Sequence, residues 1–249
     1  GAVTSTFVGG VWTASGAIAD VNALLAGVTF TPTLNFNSNF TIATSVSDGV
    51  APAITGVKAM TGTPVNDAPT ATNLSAGETY TEDTALNLTD IVASDVDSAN
   101  ITATLTLSNV GAGSLNTGTS GAVTSTFVGG VWTASGAIAD VNALLAGVTF
   151  TPTLNFNSNF TIATSVSDGV APAITGVKAM TGTPVNDAPT ATNLSAGETY
   201  TEDTALNLTD IVASDVDSAN ITATLTLSNV GAGSLNTGTS GAVTSTFVG

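Results

Sequence analysis

The chain repeats itself letter for letter, because residues 121–249 have the same sequence as residues 1–129. Short periods of about 20–50 residues are typical of solenoids, in which each repeat is one small supersecondary unit. The period here is 120 residues, which matches an autonomous domain of ordinary size. We therefore expect tandem domains arranged as beads on a string.

The charge of the chain excludes several function classes. It has 18 acidic residues against two basic ones, Lys58 and Lys178, and it lacks arginine, histidine and cysteine. Nucleic acid is not an expected partner, because nothing in the chain neutralises phosphates. Ser/His and Cys/His nucleophiles and His/Cys zinc sites cannot be assembled either. We expect no enzyme activity, and no membrane insertion, because no apolar run of about 18 residues occurs.

Short runs rich in Val, Ile, Thr and aromatic residues, separated by Gly, Asn, Asp and Ser clusters, predict an all-β fold. Ile101–Leu107 alternates between apolar and hydroxyl-bearing residues, as a sandwich strand with one buried and one wet face requires. Trp12 and Trp132 each follow Gly-Gly-Val and are expected in the core. The predicted strands of one repeat are Tyr80–Thr81, Ala85–Leu88, Ile101–Leu107, Ala122–Val128, Val131–Ala134, Val148–Thr151, Phe160–Val166 and Ile174–Met180.

One stretch of each repeat has helical rather than strand spacing. The apolar residues from Ile138 to Leu145 recur at intervals of three and four, which predicts about two turns of helix with its apolar stripe in the core. Ser135 is the expected N-cap and Gly147 the expected stop.

The boundary between domains is expected in Thr63–Pro69, repeated at Thr183–Pro189, because its prolines cannot lie in a central strand. This frame divides the chain into the C-terminal part of one repeat (1–66), a complete repeat (67–186) and the N-terminal part of the next (187–249). One hypothesis is that chains associate head to tail, so that the C-terminal piece of one completes the N-terminal piece of the next. The alternative is that the chain is a window on a longer continuous array.

Acidic residues cluster at four places in each repeat. They are Asn66-Asp67, Glu82-Asp83, Asp95-Val-Asp97 and Asp168, whose earlier copy is Asp48. Carboxylates so close together repel each other unless a cation lies between them, and Ca²⁺ prefers such oxygen ligands. Taken singly, each motif also fits an Asx turn or a plain linker. Glu78 and Asp90 are expected to be merely solvated.

The order of these motifs resembles that of cadherins. Val65–Pro69 is similar to the cadherin linker, Ala93–Asn100 to the segment with Asp-x-Asp ligands, and Ser165–Gly169 to a strand-end Asp-Gly. Ala139–Pro152 with Asn155-Phe-Asn157 resembles more specifically the cadherin-like tandem repeats (extender domains) of giant secreted bacterial adhesins of the RTX and biofilm type. The resemblance implies an Ig/cadherin-like Greek-key β-sandwich with one short helix per repeat.

The resemblance also implies Ca²⁺ at each junction, held by residues of the linker and of both neighbouring domains. The cadherin Asp-Arg-Glu motif is missing and the linker has lost two ligands, so fewer ions per junction are expected. Substitution of Asp140 for the missing acids stays open as an alternative. The candidate ligands are Asn66, Asp67, Asp95, Asp97 and Asp168 at one junction, Glu82, Asp83, Asn186, Asp187, Asp215 and Asp217 at the next, and Asp48.

These features together predict a calcium-stiffened extender of a large bacterial cell-surface adhesin, which would project a distal adhesive domain away from the cell. The expected partners are neighbouring repeats of the same chain, and the expected location is extracellular. Two alternatives remain open: a self-assembling segment of a surface filament, and a module that binds a surface, a glycan or ice directly.

Overall fold

The computed structural model describes residues 3–248. We keep the predicted frame as names: the N-terminal partial unit (3–66), the complete unit (67–186) and the C-terminal partial unit (187–248). The N-terminal partial unit contains β1 (Thr6–Val8), β2 (Val11–Thr13), α1 (Ile18–Ala26), β3 (Phe40–Val46) and β4 (Ile54–Met60).

The complete unit contains most of the regular structure. Its elements are β5 (Thr70–Ala71), β6 (Glu78–Thr81), β7 (Leu86–Asn87), β8 (Ala93–Ser94), β9 (Asn100–Leu107), β10 (Gly113–Leu115), β11 (Thr119–Ser120), β12 (Val123–Thr124), β13 (Thr126–Val128), β14 (Val131–Ala137), α2 (Ile138–Ala146), β15 (Thr149–Pro152), β16 (Phe160–Ser167) and β17 (Ile174–Thr183).

The C-terminal partial unit has little regular structure among its described residues. It contains β18 (Thr190–Ala191), β19 (Ala213–Ser214), a short 3₁₀ turn (Val230–Ala232), β20 (Thr239–Ser240) and β21 (Val243–Thr244). Among residues 3–248 the two α-helices have nine residues each, and no helix is long and apolar enough to cross a membrane.

The complete unit is a β-sandwich, which confirms the predicted all-β class. Its larger sheet has the order β13-β14-β9-β16-β17-β6, and its smaller sheet has the order β10-β15-β7. The chain crosses between the sheets repeatedly, so that β9 pairs with β14 and β16, which come later in the sequence. The first strand of the large sheet, β6, pairs in parallel with the last, β17.

The predicted alternation of β9 is confirmed. Ile101, Ala103, Leu105 and Leu107 are buried, whereas Thr106 on the other face is exposed. The predicted strand Ala122–Val128 is interrupted instead, because Ser125 pairs with Gly118 through both its backbone and its hydroxyl. The strand predicted at Val131–Ala134 extends to Ala137, because β9 offers it partners over that whole length.

The predicted helix is present and its stop is confirmed, since the N–H of Gly147 donates to the Leu144 carbonyl and the N–H of Val148 to the Leu145 carbonyl. The N-cap prediction is wrong. Ser135 lies in β14, the N-cap position is Ala137, and no side chain caps the helix. The copy α1 starts in the same way, at Ala17 and without a side-chain cap, although its β2 ends at Thr13, so the helix start does not depend on pairing with β9. Val141 and Leu145 are buried, as the apolar stripe predicts.

Two expectations about single side chains are corrected. Glu78 is not merely solvated, because it forms an ion pair of 3.1 Å with the fully buried Lys178. Lys178 also donates to the Thr89 carbonyl at 3.1 Å, so the cation is hydrogen-bonded as well as paired. Trp132 is buried in the core, but its copy Trp12 is only half-buried.

Candidate metal centre at the unit junctions

The first junction is the point where the linker enters the complete unit. Asn66 donates from Nδ2 to Asp168 Oδ2 at 2.6 Å, and the Asp67 N–H donates to Asp97 Oδ2 at 2.8 Å. Asp168 is 102 positions from Asn66, and Asp97 is 30 positions from Asp67. Both acids are therefore hydrogen-bonded to the same linker. The predicted group Asn66, Asp67, Asp95, Asp97 and Asp168 is thus brought to one end of the unit.

Asp95 has one satisfied and one unsatisfied carboxylate oxygen. Oδ1 accepts from the N–H groups of Asp97 at 2.8 Å and Ser98 at 2.7 Å, which is the Asx turn that the motif also allowed. Oδ2 is buried and has no hydrogen-bond partner. A buried oxygen left in this state is destabilising, so it points to a missing donor or cation.

Asp168 is stabilised as a carboxylate. The N–H of Val170, the side chain of Asn66 and the N–H of Ala171 all donate to it, and these bonds lower its pKa. The turn after β16 therefore holds Asp168 ionised against the linker.

The second junction is the point where the linker leaves the complete unit. Glu82 is only 1% exposed; it accepts from Asn157 Nδ2 at 3.0 Å and from the Val185 N–H of the outgoing linker. Asp83 accepts from the Asn155 N–H at 2.8 Å. The loop between β15 and β16 and the linker are therefore both tied to the strand end that carries the two acids.

Asp187 is the centre of negative charge at the second junction. Removal from water raises its pKa, and the carboxylates of Asp217 and Asp83 raise it further. Glu82 and Asp215 add smaller contributions of the same sign. Its Oδ2 is buried and has no hydrogen-bond partner. The folded chain thus disfavours the ionised form of this carboxyl group.

The linker geometry is the same at both junctions where the residues are copies of each other. The Asp187 N–H donates to Asp217 at 2.6 Å, and Asp215 accepts from Asp217 and Ser218. Asn186 donates to the Asp187 carbonyl at 2.8 Å, as Asn66 does to Asp67. The predicted group Glu82, Asp83, Asn186, Asp187, Asp215 and Asp217 is thus assembled around one linker.

Asp48 is hydrogen-bonded within the turn that follows β3. It accepts from the N–H groups of Val50 and Ala51, and these bonds lower its pKa. The Asp140 side chain is hydrogen-bonded to β11, because its Oδ1 accepts from the Ser120 hydroxyl at 3.1 Å.

The donor set at the junctions fits a hard cation. In this conformation no three acidic side chains among residues 3–248 converge closely enough to hold a metal. Yet the buried side-chain oxygens without a partner in the described part of the chain are Asp95 Oδ2, Asp187 Oδ2 and Asn155 Oδ1, and all belong to the junctions. Their chemistry, carboxylate and amide oxygen, is that of Ca²⁺ ligands.

Asn155 and Asn157 contact the acids of the second junction, and neither is among the predicted ligands. They bind Asp83 and Glu82 across 72 and 75 positions of sequence, so no local pattern announces them. The signal in the sequence is the Asn155-Phe-Asn157 motif, which carries part of the family resemblance.

No protein-family model and no curated protein matches the chain. Among solved structures, a structure of "Protocadherin Gamma B2 extracellular cadherin domains 3-6" is similar with a TM-score of 0.36 and 14% sequence identity. The similarity covers 73% of this chain and 44% of the protocadherin chain, so the chain spans less than half the length of that structure.

Proposed function

We propose that the chain is a segment of a structural extender, in which identical β-sandwich units joined end to end are stiffened by calcium at each junction. The observation that carries the proposal is the placement of the unsatisfied buried oxygens, which lie at the two linkers. Acid clusters elsewhere on a surface would be solvated and would need no cation.

The residues of each junction bind the linker backbone through direct hydrogen bonds, without a cation. Asp97 holds the backbone of the incoming linker, and Glu82 holds the backbone of the outgoing one. What the chain does not supply is positive charge, because Lys178 is bound to Glu78 inside the complete unit and Lys58 is the other basic residue. Calcium supplies that charge when bound.

The residues that would hold calcium differ at the two ends of the complete unit. At the first junction they are Asp67, Asp95, Asp97 and Asp168, with Asn66 beside them. At the second they are Glu82, Asp187, Asp215 and Asp217, with Asn155 beside them. Each set joins a linker to at least one folded unit, so that a filled site restrains the angle between units.

The function of such an array is to add length to the molecule. The longest strand, β17, has ten residues and spans about 33 Å, so each added unit extends the molecule by roughly 40 Å. We place the array outside the cell, in a large bacterial adhesin that carries its adhesive domain beyond the extender, on the basis of the motif resemblance and the repeated identical units.

Direct recognition of a glycan, an ice surface or another surface is less well supported. Trp132 and Tyr80 are each 1% exposed, so these rings offer no stacking platform for a sugar. A shallow groove of about 560 Å³ lies on the large sheet, lined by side chains such as Thr104, Thr106 and Thr175. It is open and lacks the charged groups that usually fix a ligand's orientation.

The test of the extender function is calcium removal from the 249-residue chain. Chelation with EGTA is expected to lower the melting temperature and to shorten or broaden the distance distribution in small-angle scattering, because repulsion between the junction acids is then uncompensated. Restoring calcium should reverse both changes. Identical melting curves and identical scattering in calcium and in EGTA would refute the proposal.

A matched pair of variants locates the effect. Asp95→Asn removes one carboxylate at the first junction, whereas Asp90→Asn removes one from an exposed position whose carbonyl, not its carboxylate, binds Asn73. Calorimetric titration should show weaker calcium binding for Asp95→Asn and unchanged binding for Asp90→Asn. Equal weakening in both would indicate diffuse screening instead of a site.

A further inference from the structure

The turn formed by Asp95–Ser98 is held at both of its ends by helix α2. Just before the turn, the side chain of Asn142 binds the backbone of Ala93. Just after it, the N–H of Ile138, the first residue of the helix, donates to the Ala99 carbonyl at 3.0 Å. One element therefore contacts both flanks of the segment that presents two candidate calcium ligands of the first junction.

Asn142 uses both polar groups of its amide on one backbone residue. Its Oδ1 accepts from the Ala93 N–H at 2.9 Å, and its Nδ2 donates to the Ala93 carbonyl at 2.8 Å. A side-chain amide has the same kinds of donor and acceptor as a peptide group, so Asn142 pairs with β8 as a neighbouring strand would. Ala93 is only 2% exposed, and without Asn142 these two backbone groups would be buried without partners, which is destabilising.

The other edge of β8 is occupied by β5, the first strand after the linker. Ala71 lies opposite Ala93, and the N–H of Thr72 donates to the Val92 carbonyl at 3.0 Å. Hydrogen-bonded and non-hydrogen-bonded pairs alternate along an antiparallel ladder, so the backbone groups of Ala93 face away from β5. Asn142 binds at the edge that β5 leaves free, and β8 is thereby fixed on both sides.

Local helix propensity does not explain an asparagine at position 142. Asn142 is the fifth of the nine residues of α2, and asparagine forms helices less readily than the alanines and leucines in the same helix. Its side chain bonds to β8 and not to the helix backbone. The contact with Ala93 is therefore the physical reason for this residue.

Helix α2 is itself fixed to the rest of the unit. Val141 and Leu145 are buried in the core, and Asp140 accepts from the Ser120 hydroxyl of β11 at 3.1 Å. Groups that support a binding site work only when packing and hydrogen bonds hold them in place. Asn142 lies on such a restrained element, so its contact can fix the position of β8.

The position of β8 determines where the acids of the following turn lie. Asp95 comes directly after β8; its Oδ1 accepts from the N–H groups of Asp97 and Ser98, and its Oδ2 is buried without a partner. Asp97 Oδ2 accepts from the Asp67 N–H of the linker at 2.8 Å. A displacement of β8 would therefore move both carboxylates relative to the linker.

We propose that Asn142 is a positioning residue of the first junction: it holds β8 against α2 and so keeps Asp95 and Asp97 at the linker, where they bind the cation. This inference rests on the proposed function, because it concerns the calcium site described there. Asn142 does not touch the cation and acts through the backbone of Ala93. Replacement of residues that support metal ligands typically weakens metal binding by about 10–100-fold.

The acids of the second junction provide an internal reference. Glu82 and Asp83 are bound by Asn157 and Asn155 of the loop between β15 and β16, and Asn142 contributes to neither contact. Loss of the Asn142 side chain should therefore weaken calcium binding at the first junction and leave the second junction unchanged.

The test is Asn142→Ala in the 249-residue chain. Alanine is the best helix former, so α2 should be retained while Ala93 loses both bonds. In calcium-free buffer, NMR of the ¹⁵N-labelled variant should show the Ala93 N–H exchanging with solvent about tenfold faster. The amide signals of Asp97 and Ser98 should shift as well, because their N–H groups bond to Asp95.

Calcium titration of the same samples measures the effect on the site. The amide signals of Asp67 and Asp97 report the first junction, and that of Asn155 reports the second. Asn142→Ala should raise the calcium Kd at the first junction roughly tenfold and leave the Kd at the second junction unchanged.

The matched control is Asn116→Ala. Asn116 makes a similar double contact with backbone, because its Oδ1 accepts from the Thr149 N–H at 2.7 Å and its Nδ2 donates to the Gly147 carbonyl at 3.0 Å. These bonds involve no acid of either junction. Asn116→Ala should lower the melting temperature without changing calcium binding. Equal weakening of calcium binding by the two variants would overturn the positioning role, since it would reflect general stability.

The outcomes separate this inference from the proposed function. If the unchanged chain binds calcium and Asn142→Ala binds it equally well, the positioning role is wrong and the extender function stands. Unshifted Asp97 and Ser98 signals in the variant would also overturn the positioning role. If no form of the chain binds calcium, both proposals fail. Should circular dichroism show Asn142→Ala to be unfolded, Asn142→Gln, which displaces the amide by one methylene group, should give the same changes to a smaller extent.

Discussion

Each partial unit has the same sequence as one part of the complete unit but a different structure. Tyr80 is 1% exposed in the complete unit, and its copy Tyr200 is 77% exposed in the C-terminal partial unit. The strand β9 has eight residues, while its copy at 220–227 has no strand structure. The difference shows that β-structure here is conferred by partners distant in the sequence, and that local propensity alone does not form it.

The hairpin formed by β3 and β4 is the informative exception. It keeps all seven paired positions of its copy in the complete unit, because both of its strands are present and adjacent in sequence. The helix is also retained in both places. Elements whose contacts are local therefore persist in a partial unit, and elements that need a third strand do not.

The largest contrast is expected for the two tryptophans. Trp132→Ala removes a buried ring and the bond from its Nε1 to the Asn116 carbonyl at 3.0 Å, so it should lower the free energy of unfolding by about 3–5 kcal/mol. Trp12→Ala removes a half-buried copy and should cost much less. Denaturant unfolding of both variants measures this difference. Equal costs would mean that the partial unit is packed like the complete one.

Replacing the two lysines should give a smaller difference in stability than replacing the two tryptophans, and again the copy in the complete unit should cost more. Lys178→Ala leaves Glu78 without its partner in a buried site, and removal of one member of such a pair typically costs about 3 kcal/mol or more. Lys58→Ala alters an exposed residue and should be nearly neutral. Thermal melting followed by circular dichroism distinguishes them. A neutral Lys178→Ala would contradict the structural role of the pair.

The smallest expected effect on stability is at the junction acids, where one substitution should stabilise the fold. The pKa of Asp187 is raised, so the folded state binds a proton more tightly there than the unfolded state does. Its contribution therefore favours folding as pH falls through the raised pKa, and opposes folding at neutral pH. In EGTA, Asp187→Asn should raise the melting temperature slightly at pH 7.

The matched partner of that variant is Asp168→Asn. The pKa of Asp168 is lowered, so its carboxylate contributes stability above its unfolded pKa, and this is lost as pH falls through the lower folded pKa. Asp168→Asn should therefore lower the melting temperature at pH 7. Melting curves of both variants between pH 3 and pH 7 measure the two signs. Shifts in the same direction would show that the junctions are not electrostatically distinct.

The sequence pattern predicts the parts of the fold that depend on local periodicity. The alternation in β9 and the apolar stripe of α2 could both be identified, because the sequence spacing itself encodes which face is buried. The short strands β5, β8 and β10 were not predicted, since each has only two or three residues and is defined by its partner. The misplaced cap at Ser135 has a different basis, because α1 also starts after an alanine and without a side-chain cap where no β9 pairing occurs.

The acidic residues of the candidate site could be predicted from the sequence, but the burial of their oxygens could not. The Asp-x-Asp and linker motifs identify which acids lie near a junction. They do not reveal that Asp95 Oδ2 and Asp187 Oδ2 are buried without a partner, because burial depends on how the linker docks. Lys178 shows the same limit, since nothing in its neighbourhood in sequence indicates that Glu78, 100 positions away, is its partner.

The parallel pairing of β6 with β17 has a mechanical consequence. Four consecutive pairs, from Met180 with Glu78 to Thr183 with Thr81, join the first and the last strand of the large sheet. When the two linkers are pulled apart, these strands slide in opposite directions along each other. The backbone hydrogen bonds between the two strands then bear the load together, and they do not break one after another. Tension applied along the array would meet its resistance in this strand pair, where each unit behaves as a clamp loaded in shear.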